Sequence, residues 1–185
     1  MTMTDMAVHQ VVTVNAPIGT AFTVFTEGFD SWWPRTHKVG AAELKLAVLE
    51  GREGGRWYEV GAEGSECDWG RVLVWDPPAR LVLAWQLDAT WHFDPALLTE
   101  VEILFTEIGP GQTRVELEHR DLDRFGEARD DIRAALDSEG GWGGLMLAYA
   151  QAAQAAGDAR AAGDARAAGD AQAAQAAGDA QAAGA

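Results

Sequence analysis

The hydrophobic period of this chain changes twice, and that limits its fold more than any other feature. Between residues 42 and 120 the period is two. "AELKLAVLE" (42–50), "GGRWYEV" (54–60), "CDWGRVLVW" (67–75), "RLVLAWQL" (80–87), "TEVEILFTEI" (99–108) and "TRVELEHR" (113–120) read as strands. "REGG", "DPPA" and "GPGQ" separate several of them with turn chemistry. Such short connections favour antiparallel neighbours. Successive strand residues point to opposite faces. Leu81, Leu83, Trp85 and Leu87 therefore share one face with Val101, Ile103 and Phe105, and with Val115, Leu117 and His119. The opposite face carries Arg80, Glu100, Glu102, Arg114, Glu116, Glu118 and Arg120. "WGRVLVW" is apolar in both registers, so the inner face of strand 67–75 is not assigned.

On either side of this block the period is near 3.6. "VHQVVTV" (8–14) is a first strand. "NAPIGTAFTVFTEGF" follows as a helix, with Asn15 as its cap and Pro17 in its first turn. "FDSWWP" is a second short helical turn, stopped before Pro34. After Arg120, "DRFGEARDDIRAALDS" (123–138) is a short amphipathic segment. In "EGGWGGLMLAYAQAA" (139–153), Trp142, Leu145, Met146 and Tyr149 fall at i, i+3, i+4 and i+7 of a longer helix. This order predicts an α+β fold, with helices gathered on one face of an antiparallel sheet.

From Gln151 onward the chain is almost entirely Ala, Gly, Asp, Gln and Arg, with "GDARAA" repeated. No apolar side chain there exceeds Ala, so the repeat cannot build a solenoid. The expected organisation is a flexible terminus over 1–7, a folded body over 8–150 and a low-complexity tail over 151–185. The tail is expected to be a frayed helix passing into disorder, because each Gly disfavours helix by about 1 kcal/mol relative to Ala.

The formal charge is −15; four Asp and two Arg in the tail contribute −2, which leaves −13 on the body. Such a surface repels nucleic-acid phosphates. A single cysteine, Cys67, excludes an internal disulfide. No apolar run is long enough to cross a bilayer, and "MTMTDMAVHQVV" lacks the basic start of a secretory signal. The expectation is an acidic cytoplasmic protein that does not bind nucleic acid.

Motifs for chemistry are few. There is no Cys pair, "HExxH", phosphate loop or "GxSxG" elbow, so no metal, cofactor or catalytic residue is assigned. Cys67 has no neighbour in sequence that would activate it. His92 falls in a loop. His119 lies in register with the apolar face, as a hydrogen-bonding anchor or a general base. The unusual feature is the set of eight tryptophans, a residue suited to cores and to ligand walls alike. Gly140, Gly141, Gly143 and Gly144 around Trp142 would let the last helix approach the sheet closely or leave room beside it.

"V.VNAPIGTAFTVFT", "WW", "GGRWYEV", "WGRVLVWDPPARLVLAW", "TEVEILFTEIGPGQTRVELEHR" and "GGWGGLMLAYA" occur in an order that resembles the START-like (SRPBCC) superfamily. The resemblance is to its branch related to activators of the heat-shock-protein-90 ATPase, and it covers residues 8 to 150. It implies a helix-grip fold, a curved antiparallel sheet around a long C-terminal helix with a hydrophobic cavity between them. It also implies binding of a small apolar molecule. Trp33, Trp57, Trp69, Trp85, His119, Trp142, Met146 and Tyr149 are then the candidate pocket residues. Two alternatives follow from the same family: a polyketide cyclase or aromatase, with His119 and Glu59 as acid–base candidates, or a chaperone-related interaction module.

Overall fold

The computed structural model describes residues 6–183. Seven strands form one antiparallel sheet in the order β1-β7-β6-β5-β4-β3-β2. They are β1 (Val8–Val14), β2 (Leu44–Leu49), β3 (Arg56–Gly61), β4 (Glu66–Asp76), β5 (Arg80–Trp85), β6 (Thr99–Gly109) and β7 (Gln112–Arg120). After β1 come α1 (Ile18–Thr26) and α2 (Phe29–Trp32). A 3₁₀ segment (Leu122–Ala128) and α3 (Arg129–Leu136) lead into α4 (Trp142–Ala183). The sheet curls into a half-barrel, and α1, α2 and the first turns of α4 pack into its concave side. This is the helix-grip fold.

The two faces differ as the alternation requires. Leu81, Leu83, Val101, Ile103, Phe105, Val115 and Leu117 are buried. The convex face is tied by ion pairs across strands: Arg80–Glu102 at 2.6 Å, Arg120–Glu100 at 2.7 Å and Arg120–Glu102 at 3.2 Å. Burial alone would raise the Glu102 carboxyl, but the bonds and charges of Arg80 and Arg120 outweigh it and hold the group below its ordinary range. Central β5 is buried on both faces, because Val82 and Ala84 sit between the side chains of β4 and β6.

β4 resolves the ambiguity of "WGRVLVW". Its register slips between Trp57 and Tyr58 of the β3 pairing, and between Val72 and Val74 of its own pairing with β5. Each slip is a β-bulge, which inserts one residue and interrupts the period of two. Trp69 and Val72 are buried as a result. Between them, Gly70 lies so close to β5 that a Cβ would fall 1.7 Å from the Ala84 carbonyl oxygen. No other residue fits there.

Two local expectations are corrected. Asn15 does not cap α1; Pro17 occupies the cap position. The Asn15 side-chain oxygen instead accepts from Gln112 Nε2 at 3.2 Å, and its backbone N–H donates to Gln154 Oε1 at 3.2 Å. Of the two roles expected for the glycines beside Trp142, close approach of α4 to the sheet is not the one seen; Gly140 and Gly141 border open space beside the helix. A Cβ at Gly141 would meet the Leu136 carbonyl at 2.3 Å, and one at Gly144 would meet the Glu139 carbonyl at 2.1 Å. Those two serve the tight α3–α4 turn. The glycine that admits a close approach is Gly157, where a Cβ would meet the Asn15 carbonyl at 2.1 Å. From Asp158 to Ala182 the side chains of the helix are exposed.

Candidate functional site

α2 ends at Trp32, and Trp33 follows as an extended cap, the conformation that a residue before proline favours. Trp32 Nε1 donates to the Val24 carbonyl at 3.1 Å and faces the α1 side. Trp33 Nε1 donates to the His37 carbonyl at 2.8 Å, which folds the segment after Pro34 back under its own ring. That ring stacks on Phe29 at 4.9 Å and lies 5.1 Å from Trp69. Trp69 in turn meets Trp57 at 5.6 Å, Trp57 meets Trp85 at 5.5 Å, and Trp85 meets Trp142 at 5.7 Å. The pairs are mostly edge-to-face or tilted, which suits the ring quadrupoles. An unbroken aromatic wall thus runs from α2 across β4, β3 and β5 to the start of α4.

A cavity of about 420 Å³ opens against this wall. It lies where the segment after α2, the β5–β6 loop and the α3–α4 turn converge. Trp33, Trp69, Trp85 and Trp142 line it, with Leu87, Leu136 and Leu145. Trp91 covers one side; it is 41% exposed and holds φ at 63°. A bulky residue in that left-handed region is strained. Its loop is held by Asp88, whose Oδ1 accepts from Thr90 N, Thr90 Oγ1 and His92 N within 3.0 Å. These bonds keep the Asp88 carboxyl below its ordinary range, His92 N contributing most. On the other side His37 Nε2 donates to the Gly140 carbonyl at 2.7 Å and ties the two rims together.

Four of the eight candidate pocket residues therefore meet at one cavity: Trp33, Trp69, Trp85 and Trp142. The other four lie behind it. Trp57 is fully buried between Trp69 and Trp85. Met146 is fully buried in the core. Tyr149 donates its hydroxyl to the Ala21 carbonyl at 2.8 Å, and burial pushes its phenol far above the ordinary range. His119 is fully buried, and both ring nitrogens are engaged, with Thr99 Oγ1 at 2.8 Å and Trp142 Nε1 at 3.1 Å. Burial holds it neutral, with its pKa lowered to about 3.

Glu59 points inward, but not at the cavity. Its carboxylate accepts from Val39 N at 3.1 and 3.0 Å and from Gly40 N, which pins the strip that carries His37 and Lys38. Cys67 lies beside it, and burial together with the Glu59 charge pushes its thiol up. A second hollow of about 430 Å³ joins Cys67 to Arg56, Asp68, His92 and Phe93. Trp91 and Val39 border both spaces. The sequence reading missed Lys38, Val39 and Trp91 as cavity residues. Trp91 had a signal, as a bulky aromatic in the polar loop "DATWHFDP".

Residues 15–148 match the family described as Activator of Hsp90 ATPase homolog 1-like protein. Txn09, an anthrahydroquino-γ-pyrone synthase, is 37% identical over 79% of this chain and 96% of its own, with a TM-score of 0.57. CalC, a self-sacrificing resistance protein from Micromonospora echinospora, is 32% identical over 80% of this chain and 93% of its own, with a TM-score of 0.61. Protein NE0264 from Nitrosomonas europaea shares the fold at 15% identity, covering 79% of this chain and 92% of its own, with a TM-score of 0.56. No curated protein matches the chain. The matched span includes α1, the whole run β2–β7 and the Trp142 turn of α4, and this protein belongs to the Activator of Hsp90 ATPase homolog 1-like family.

Proposed function

We propose that this protein binds a small, flat, hydrophobic molecule in the cavity between the sheet and α4. The observation that carries the reading is the convergence of Trp33, Trp69, Trp85 and Trp142 on one space of about 420 Å³. Ligand sites are commonly concave, mostly apolar and of this size. A flat aromatic ligand would meet ring faces and edges there, and water would be displaced from apolar surface. Likeness to a synthase named for a fused-ring aromatic product supports the same ligand class.

Binding is a better reading than turnover. The two acid–base candidates, His119 and Glu59, are absent from the cavity wall, and their polar atoms are engaged by the protein itself. The test is a titration with the neutral dye N-phenyl-1-naphthylamine, read by its own emission and by tryptophan quenching. Saturable binding is expected. Ala135→Phe fills the mouth from an exposed position on α3, so it should weaken binding at least about tenfold with little cost in stability. Failure of the dye to bind would sink the reading. It would turn attention to a chaperone-related interaction of the kind that the family description suggests.

A further inference from the structure

We propose that the cavity selects an anionic aromatic ligand, with its acidic oxygen group held on the Lys38 side of the mouth. This rests on the reading above that the cavity holds an aromatic molecule. The chain has 29 acidic and 14 basic residues, yet among the described residues no Asp or Glu lines the cavity. Its titratable lining residues are His37 and Lys38. Asp137 and Glu139 flank Ser138 in sequence but are not part of the wall; Asp137 accepts from Gln10 Nε2 at 3.4 Å. An acidic protein has thus kept carboxylates out of one concave space and put a cation at its edge.

The lining groups are also biased toward donation. His37 is committed on both sides, to Gly140 and, through Nδ1 at 3.1 Å, to Thr36 Oγ1. Lys38 Nζ donates to the Gly40 carbonyl at 2.8 Å and the Ala41 carbonyl at 3.2 Å. An ammonium has three protons, so one donor and the whole charge remain. No carboxylate lies within 4.0 Å of Lys38 among the described residues. Glu59, the buried carboxylate of this region, spends its oxygens on the Val39 and Gly40 amides. Trp69 adds a buried indole N–H with no partner among the described residues, on a ring that lines the cavity. A remaining ammonium donor, its charge and an unpaired indole N–H are complementary to phenolate or carboxylate oxygens.

The rival chemistry is a cationic ligand. Indole faces attract cations, but here Lys38 would oppose one and no lining carboxylate would favour it. Three probes with one ring system separate the cases: 2-naphthoate, 2-naphthalenemethanol and 2-naphthylmethylammonium. They are titrated into the full-length protein at pH 7 and read by tryptophan quenching. We expect 2-naphthoate to bind about fivefold tighter than the alcohol, the order expected of one solvent-accessible ionic contact, and the ammonium to bind weakest. In Lys38→Gln, which removes the charge but keeps an N–H donor on a side chain one atom shorter, the ratio of naphthoate to alcohol affinity should fall below about twofold. Equal affinities in the natural protein, preference for the ammonium, or a ratio that survives Lys38→Gln would overturn the proposal. Binding by none of the three would instead remove the cavity reading on which it rests.

Discussion

Trp142 Nε1 donates to His119 Nδ1 across 3.1 Å, and this bond fixes the state of a fully buried histidine. With Nδ1 accepting, the proton sits on Nε2 and is given to Thr99 Oγ1 at 2.8 Å. Thr99 passes its own proton to the Trp85 carbonyl at 3.3 Å. The chain of donors runs one way, from α4 through β7 and β6 to β5. It anchors the cavity wall at Trp142 to the cavity wall at Trp85. His119 is therefore a positioning residue for two indoles.

The same burial makes stability depend on pH. The His119 pKa is lowered to about 3 from 6.5, so the unfolded chain takes up its proton first as pH falls. Its contribution is complete above about pH 6.5 and is lost progressively toward pH 3. Between pH 7 and pH 4.5 the protein should lose about 2–3 kcal/mol from this group, at 1.36 kcal/mol per pKa unit. Asp30, Asp88 and Glu102, whose carboxyls are held low, erode stability only further down. Urea midpoints across that range check this. His119→Gln should flatten the slope; an unchanged slope would place the titrating group elsewhere.

Trp142→Phe separates the ring from its N–H. Phenylalanine keeps an aromatic face on the cavity but leaves His119 Nδ1 buried without a donor. An unmet buried acceptor costs about 1–3 kcal/mol. We expect that loss in a urea melt, with affinity for N-phenyl-1-naphthylamine held within about twofold. A collapse of affinity at unchanged stability would show that the N–H serves the ligand and not the histidine.

Glu59→Gln tests the rim. The carboxylate accepts from the Val39 and Gly40 amides with both oxygens. Glutamine supplies one oxygen and sets an NH₂ group against backbone donors. The strip 38–41 should loosen, at a cost of about 1–3 kcal/mol. Hydrogen exchange at Val39 and Gly40 should accelerate well before that of β6 and β7. Protection equal to that of the natural protein would mean the strip is held by Lys38 and His37 instead.

The strands, their order and the charged convex face were all legible in the sequence, because a period of two follows from strand geometry alone. β4 was not. Its bulges at Trp69 and Leu73 depend on how β3 and β5 pair with it, and no property of "WGRVLVW" by itself reports a partner's register. Helix caps failed for a similar reason. Asn15 has a good capping side chain, yet its polar groups are drawn to Gln112 and Gln154, residues distant in sequence.

For the site, the sequence by itself determined the supply of aromatic side chains and, outside strand 67–75, much of the inward face. That is a matter of composition and alternation along single elements. Only the tertiary structure decided which inward residues line a space and which fill the core. Trp57, His119, Met146 and Tyr149 share the apolar side with Trp33, Trp69, Trp85 and Trp142, but packing seals the first four and leaves the second four at the cavity. The difference lies in how far the segment after α2, the Trp91 loop and the α3–α4 turn stand from the sheet. That separation is set by contacts across many residues of chain, such as His37 with Gly140, and a local pattern does not encode it.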